Sequence, residues 1–215
     1  MRAILVVFAV AGCHGGNVEN LRLNWQDADV HLQVSSTVQQ ALANVPLSLA
    51  VRDVRPDPSV VGRVEEDGFL VRTSDNVALY ASNQLGNMFQ IAGAHFVPQG
   101  QAALAIDLVN YHVDEGGSFN GAVTLHVVVR RAAMQDWQRD YTGASHRWGR
   151  THNPDNYNEA LSNALSDATQ QLLKDDSFGL AIMAPPGTMA PPAPMAAPMP
   201  APQPSPAPMA PGARS

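Results

Sequence analysis

Two early segments of the chain alternate apolar and polar residues with the period of a half-buried strand. The first is Val30–Val34, and the second is Leu47–Asp53, in which Leu47, Leu49 and Val51 share one face. Pro56 and Pro58 follow the second segment and cannot donate ladder hydrogen bonds, so the strand is predicted to end there.

The spacing of apolar residues between Thr73 and Gly93 predicts a helix, with a stripe at Val77, Ala81, Leu85, Met88 and Ala92. Ser74 or Asp75 is a candidate N-cap. Gly93 is able to end the helix in the left-handed conformation.

Three long strand-like segments come next, at Ala103–Val113, Ala122–Arg131 and Asp136–Ser145. The first two are joined by Asp114–Ser118, whose glycines and polar residues are typical of a hairpin turn. The three segments are therefore predicted to form an antiparallel meander.

A second helix is predicted to begin at Asn153, an N-cap candidate that is followed by Pro154 and Asp155. Its apolar stripe lies opposite a polar face of Asn158, Glu159, Ser162, Asn163 and Gln170. Together these elements predict an α+β fold, with two amphipathic helices packed on one face of a mostly antiparallel sheet. The predicted divisions are 1–12, 13–29, 30–182 and 183–215, which are a signal peptide, a tether, a single domain and a disordered tail.

Composition narrows the class of protein. Of 215 residues 15% are charged, and the net charge of −6 argues against a nucleic-acid partner. A single cysteine excludes a disulfide framework. No apolar run reaches the ~18 residues of a membrane-spanning helix. Twelve of the seventeen prolines lie between residues 185 and 215, which predicts a disordered tail with polyproline II character. Its methionines are expected to be fillers rather than copper ligands.

The N-terminus has the order of a secretory signal. Arg2 precedes the apolar run Ala3–Val10, and Val10-Ala11-Gly12-Cys13 is similar to a bacterial lipobox. In lipobox proteins the cysteine thiol receives a diacylglycerol, and several acyl chains anchor a protein stably where one does not. We therefore expect lipid on Cys13; the alternative is a buried N-terminal strand followed by an ordinary cysteine. His14 follows Cys13 where many inner-membrane lipoproteins have Asp, which favours the outer membrane and a domain that faces the periplasm.

Several short motifs resemble the YajG-like lipoproteins of the bacterial outer membrane. They are Asp53-x-Arg55 and Gly62 before the first helix, Tyr141-x-Gly143 at the end of the meander, Asn156 followed by Ala160-Leu161, and Lys174-Asp175. The resemblance extends from about residue 10 to about residue 182, without the tail. It implies a lipid-anchored periplasmic domain with no established catalytic centre.

The sequence contains little that indicates a catalytic site. No P-loop, dinucleotide-binding glycine fingerprint, HExxH or Gly-x-Ser-x-Gly sequence occurs, and Ser118 lies in a hairpin turn. His112 and His126 lie on neighbouring predicted strands, and His146 and His152 flank a loop near Asp155. Their spacing does not demand a metal site, and no metal or cofactor is expected apart from the covalent lipid.

Two surfaces are candidates for binding. Asp53 and Arg55 share a face at a strand end, where they address a ligand or, as we prefer, form an ion pair at the sheet edge worth well under ~1 kcal/mol. Arg147, Trp148 and Arg150 combine charge with an aromatic ring that could bind an anionic glycan or a partner loop. The preferred alternative is that Trp148 closes the core at the end of the meander.

Two functions remain. The first is a non-catalytic envelope module, held in the membrane by its acyl chains, that binds an envelope protein or a cell-wall component. The second is an enzyme, such as a periplasmic hydrolase using Asp53 or histidines, or a metal-binding lipoprotein. An enzyme would have a concave pocket with convergent titratable groups, and a binding module would have a flat sheet face or an exposed aromatic residue. We expect the first; the oligomeric state is left open.

Overall fold

The computed structural model describes residues 20–26, 32–132, 135–149 and 151–184. Its helices are α1 Ser36–Asn44, α2 Val77–Ile91, α3 Pro154–Lys174 and α4 Asp176–Met183. Its strands are β1 Leu47–Asp53, β2 Val60–Val64, β3 Leu70–Arg72, β4 Ala102–Glu115, β5 Phe119–Arg130 and β6 Trp137–Arg147. The α+β prediction is confirmed.

The strands form one sheet in the order β3-β2-β4-β5-β6, with β1 also paired to β4. β4, β5 and β6 are antiparallel neighbours, which confirms the meander. β1 and β2 instead run parallel to β4, one after the other along the edge that β5 leaves free. The sheet is therefore antiparallel except along this edge.

Alternation of buried and less buried residues along the strands builds one side of the hydrophobic core. The inward side chains of β4, from Leu104 to Val113, are buried with those of β5. α3 lies across β5 and β6, α2 contacts β1, and α1 packs against α4. The stripe of α2 predicted from the sequence is buried at each of its five positions.

Helix ends agree in part with the sequence. Asn153 caps α3, with Pro154 and Asp155 in the first turn as predicted. The cap of α2 is Asn76, so the prediction of Ser74 or Asp75 is wrong; the Asn76 side chain accepts from the N–H of Leu79. Gly93 has a φ of 99°, in the left-handed region as expected.

Four elements were not predicted: α1, α4, β2 and β3. Conversely, Leu32–Val34 have no regular secondary structure, and Val30 and His31 lie outside the described residues. The predicted strand at Val30–Val34 is therefore wrong in its described part, where Gln33 forms two hydrogen bonds with the Gln170 side chain instead of a ladder.

The N-terminal segment 20–26 lies on the domain. Leu21 is buried and donates its N–H to the carbonyl of Arg72 at 2.7 Å. The Asn158 side chain accepts a hydrogen bond from the N–H of Asn24 and donates one to the carbonyl of Arg22. The Ser162 hydroxyl accepts from the N–H of Gln26. This segment, which the sequence assigned to the tether, therefore covers part of α3, and Asn158 and Ser162 are buried rather than solvent-facing.

At its other end the domain extends to the end of α4 at Met183, one residue beyond the predicted boundary. The predicted signal peptide, Cys13 and the tail 185–215 lie outside the described residues. Among the residues that are described, no helix is both long and apolar enough to cross a bilayer.

Candidate binding site at one end of the sheet

Asp53 and Arg55 form a buried pair at the point where β1 ends. Their side chains are 8% and 6% exposed, and the guanidinium contacts both carboxylate oxygens, at 2.8 and 2.6 Å. The expected ion pair is therefore present, but it is buried rather than a weak pair at the sheet edge, because β1 and β2 leave a gap beside β4 into which Arg55 folds.

The guanidinium of Arg55 also donates to three backbone carbonyls, those of Val60, Tyr111 and Pro58, at 2.7 to 2.9 Å. A guanidinium has five N–H donors, and five acceptors surround this one. No donor is left for a ligand, so the geometry assigns Arg55 the role of holding the interruption of the strand in place.

Three loops meet at the opposite end of the meander from Trp137. They are the turn after β2, the turn 116–118 between β4 and β5, and residues 148–149 and 151–153 of the loop between β6 and α3. Register brings them together, because Glu115 pairs with both Val64 and Phe119, and Phe119 pairs with Arg147. We call this region the loop end.

Glu115 organises the loop end from inside the protein. It is 1% exposed, and its two oxygens accept from the Tyr157 hydroxyl and from the His152 N–H, the latter at 2.8 Å. Burial first, and then the hydrogen bond to Glu115, raise the pKa of Tyr157 far above its usual value. The phenol therefore stays protonated and remains the donor.

His152 has a φ of 55°, which is uncommon for a residue with a side chain. Its N–H bond to Glu115 holds this conformation. Thr151 and His152 line a cleft of about 450 Å³. Glu65 and Glu66, which are exposed, and Gly116 and Gly117 line the same cleft.

Trp148 lies on the surface, three residues before Thr151 of the cleft. This residue is 71% exposed. The rings of His146 and Trp148 are nearly perpendicular, with their centroids 5.1 Å apart. Arg147 is paired with Glu159 of α3 at 2.9 Å, while Arg150 lies outside the described residues. The preferred expectation that Trp148 closes the core is wrong: Phe119 and Tyr157 fill the core at this end.

The histidines do not converge. On the open face of the sheet, His112 contacts Asp114 at 3.3 Å and His126 contacts Asp140 at 2.5 Å, as two separate pairs. Within the described part of the chain, no three His, Cys, Asp or Glu side chains are arranged to hold a metal ion.

Ser118 is the nearest approach to a nucleophile beside a base. Its hydroxyl is 3.4 Å from Nδ1 of His146, but the same nitrogen is 2.8 Å from the Asn120 amide oxygen. A proton donated to Asn120 removes the lone pair that a base would need for the Ser118 proton. This contact thus lacks the geometry of a nucleophile and its base.

The role of Glu115 and the cleft was missed from the sequence. Glu115 stands in a turn-like segment, and only the register of β4 shows that its side chain points inward. A partial signal was present, since Glu115 continues the alternation of buried residues along β4.

Comparison with solved structures finds distant likenesses. A protein of Xanthomonas campestris is 16% identical, with 72% of this chain and 90% of that chain covered and a TM-score of 0.48. A candidate lipoprotein of Caulobacter crescentus is 12% identical, with 70% and 99% covered and a TM-score of 0.36. No curated protein matches.

Residues 33–182, most of the described domain, match a family described as uncharacterized lipoprotein. This match covers more than half of the chain and includes β1 to β6 and all but the last residue of α4. The chain therefore belongs to this family of lipoproteins of unknown function.

Proposed function

We propose that this lipoprotein is a YajG-like, non-catalytic binding module of the bacterial cell envelope. In this proposal lipid on Cys13 anchors it to the outer membrane, and the domain faces the periplasm. A partner, either an envelope protein or a cell-wall component, docks on the loop end. Membership of a lipoprotein family supports the anchor, and the lipobox pattern of residues 10–13 supports its position.

The observation that carries the binding role is the exposure of Trp148. Tryptophan is enriched at the energetic centres of interfaces, where a partner removes its large apolar surface from water. Here the indole is 71% exposed beside a loop whose backbone is held by buried Glu115.

Placing a photoreactive phenylalanine analogue at position 148 of the full-length protein in cells tests the binding role. We expect a discrete adduct with one envelope component, identified by mass spectrometry. Leu180 is the matched control, because it is 59% exposed on α4 near Trp137, away from the loop end. Equal adducts at both positions, or none at 148, would contradict the proposal.

Substitution of Cys13 by Ala tests the anchor separately. We expect the variant to incorporate no labelled palmitate and to leave the outer-membrane fraction. Palmitate that still enters the variant would refute lipidation at this residue, without bearing on Trp148.

A periplasmic hydrolase is the second candidate, and the cleft is the observation in its favour. Glu65, Glu66 and His152 are titratable groups that line the same cleft. Glu115 is already committed to Tyr157 and His152, so the exposed glutamates would have to do the chemistry. Hydrolysis of isolated cell wall by the purified protein, abolished by Glu65→Gln with Glu66→Gln, would favour this candidate.

A further inference from the structure

The outer edge of β1 carries backbone groups that find no backbone partner within the described residues. Leu47 faces outward and bonds the loop that follows α2, accepting from Val97 and donating to His95. Val54 faces the other way and donates to Leu108 of β4. Since backbone groups alternate along a strand, Leu49, Val51 and Asp53 point their N–H and C=O groups outward.

The other edges of the sheet are short or covered. β3 has only three residues. On β6, the Thr142 carbonyl accepts from the Gln171 side chain at 2.9 Å, and the Ala144 N–H donates to Asp167 at 3.1 Å. Side chains of α3 thus block pairing on β6, as natural proteins commonly do at exposed edges. In the described structure β1 has no such cover beyond Leu47.

The helix beside this edge is unusual in its charge. α2 has fifteen residues and none of them is Asp, Glu, Lys, Arg or His. It lies against β1, where a Cβ on Gly86 would be 3.9 Å from Leu49. Leu79 and Ile91 of the same helix are exposed. Depletion of charge is a compositional mark of the interior of interfaces.

We infer that β1 pairs with β1 of a second copy of this chain, antiparallel about Val51, to form a two-fold dimer with a continuous sheet. This register places Val51 opposite itself and Leu49 opposite Asp53 of the second copy. These are the residues whose backbone groups point outward, so the pairing satisfies them reciprocally.

The distribution of charge around β1 favours a second copy of this chain as the partner of its outer edge. A two-fold contact sets each surface against itself, so a charged face would meet like charge unless its signs alternate. α2 brings no charge to this contact. Arg52 lies opposite Ala50 of the second copy and keeps its two bonds of 2.8 Å to Asp107. Asp53 remains paired with Arg55 inside its own protomer.

A cysteine at position 51 tests the register in full-length protein in the membranes of the producing cells. Opposed residues of a hydrogen-bonded antiparallel pair have Cα atoms about 5.5 Å apart, within the range that a disulfide spans. We expect Val51→Cys to give a disulfide-linked dimer on a non-reducing gel. Thr142→Cys, exposed on the covered strand β6, is the control and should remain monomeric.

A charge swap provides the second measurement, by light scattering on the full-length protein in detergent. Val51→Lys alone and Val51→Glu alone should each weaken self-association by at least about tenfold, because like charges then oppose each other at the axis. A mixture of the two variants should associate again, which a misfolded variant would not do. A monomeric wild-type protein at tens of micromolar, failure of the mixture to associate, or a disulfide no more frequent at 51 than at 142 would each overturn the inference.

Discussion

Arg55 stands at an interruption in what would otherwise be one long edge strand. Asp53 pairs with Leu108 and Gly62 pairs with Val113, so the eight residues between Asp53 and Gly62 accompany only four residues of β4. The excess residues loop outward, and their carbonyls would lack partners inside the protein. Arg55 supplies those partners and neutralises Asp53, which makes it a structural residue rather than a ligand-binding one.

Substitution of Arg55 by Ala should lower the free energy of unfolding by about 3–5 kcal/mol, because removal of one member of a buried pair leaves the other charge uncompensated. Urea denaturation measures the change. Arg52→Ala is the matched control: that arginine is 65% exposed in its pair with Asp107 and should contribute less than about 1 kcal/mol. Similar losses for the two variants would show that burial does not set the difference.

Asp175 links the sheet to both C-terminal helices. It accepts from the Tyr141 hydroxyl at 2.5 Å and from Arg139 at 2.7 Å, and it caps α4 through Ser177. Burial acts to raise the pKa of this carboxyl, but the hydrogen bonds from Tyr141, Ser177 and Arg139 together outweigh it, so the pKa lies below its usual value. Its contribution to stability is therefore present above the unfolded pKa of about 3.9 and is lost as the pH falls through the lower, folded value.

Asp175→Asn keeps an N-cap residue and removes this titration. We expect the wild-type protein to be more stable than the variant between pH 5 and 8, and the difference to shrink below about pH 4. Unfolding curves over this range would measure it. An advantage that is unchanged at pH 3 would mean that Asp175 acts without its charge.

Among the elements, α3 shows best how close packing follows from residue choice. A Cβ on Gly121 would lie 2.5 Å from the carbonyl of Ala160, and one on Gly143 would overlap the backbone of Ala164 and Ala168. The two glycines let the helix approach β5 and β6 more closely than side chains would allow.

Gly143→Ala should therefore force α3 away from the sheet and cost about 3 kcal/mol or more, at the upper end of the range for overpacking. A fall in the melting temperature would report it. Gly117→Ala is the control, since a Cβ there has no neighbour within 4 Å. A neutral Gly143→Ala would show that the helix shifts at little cost.

The sequence predicts those helices and strands whose signals are local, such as a cap, an apolar stripe or an alternating pattern. The cap and stripe of α3 and the strands of the meander are local, and they are confirmed. α1 also has a local signal, with Ser35 as N-cap before the buried residues Val38, Ala41 and Leu42. The burial of Asn158 depends on a segment 134 residues away, which no local pattern records.

The candidate site was predictable only in part for the same reason. Arg147-Trp148 was identified as a combination of charge and aromatic ring, but the exposure of Trp148 follows from where β6 ends. The role of Glu115 follows from its hydrogen bonds to Tyr157 of α3 and to His152 in the loop before α3, which the sequence does not reveal. The buried state of Arg55 depends on two strands that share one edge of β4.

At the scale of the whole molecule, the described domain closes without the proline-rich tail. Phe178 and Ile182 of α4 are buried, and α4 ends at Met183. Deletion of residues 185–215 should leave the melting temperature of the domain unchanged within error, because a proline-rich, largely uncharged segment has little capacity for packed structure. Differential scanning fluorimetry of the full-length and shortened proteins tests this, and a clear drop would mean that the tail packs on the domain.

Because residues 20–26 dock on α3 and β3, the segment between Cys13 and Asn20 alone sets the distance between a lipid on Cys13 and the domain. Only six residues lie between Cys13 and Asn20, so the seven Cα–Cα steps of an extended chain cover at most about 25 Å, at about 3.6 Å per step. β4 alone has fourteen residues and is about 46 Å long at 3.3 Å per residue. With lipid on Cys13, the body can swivel above the headgroups but cannot travel outward by its own length. Under the proposed anchor, a partner has to lie within the combined reach of this short tether and the domain itself.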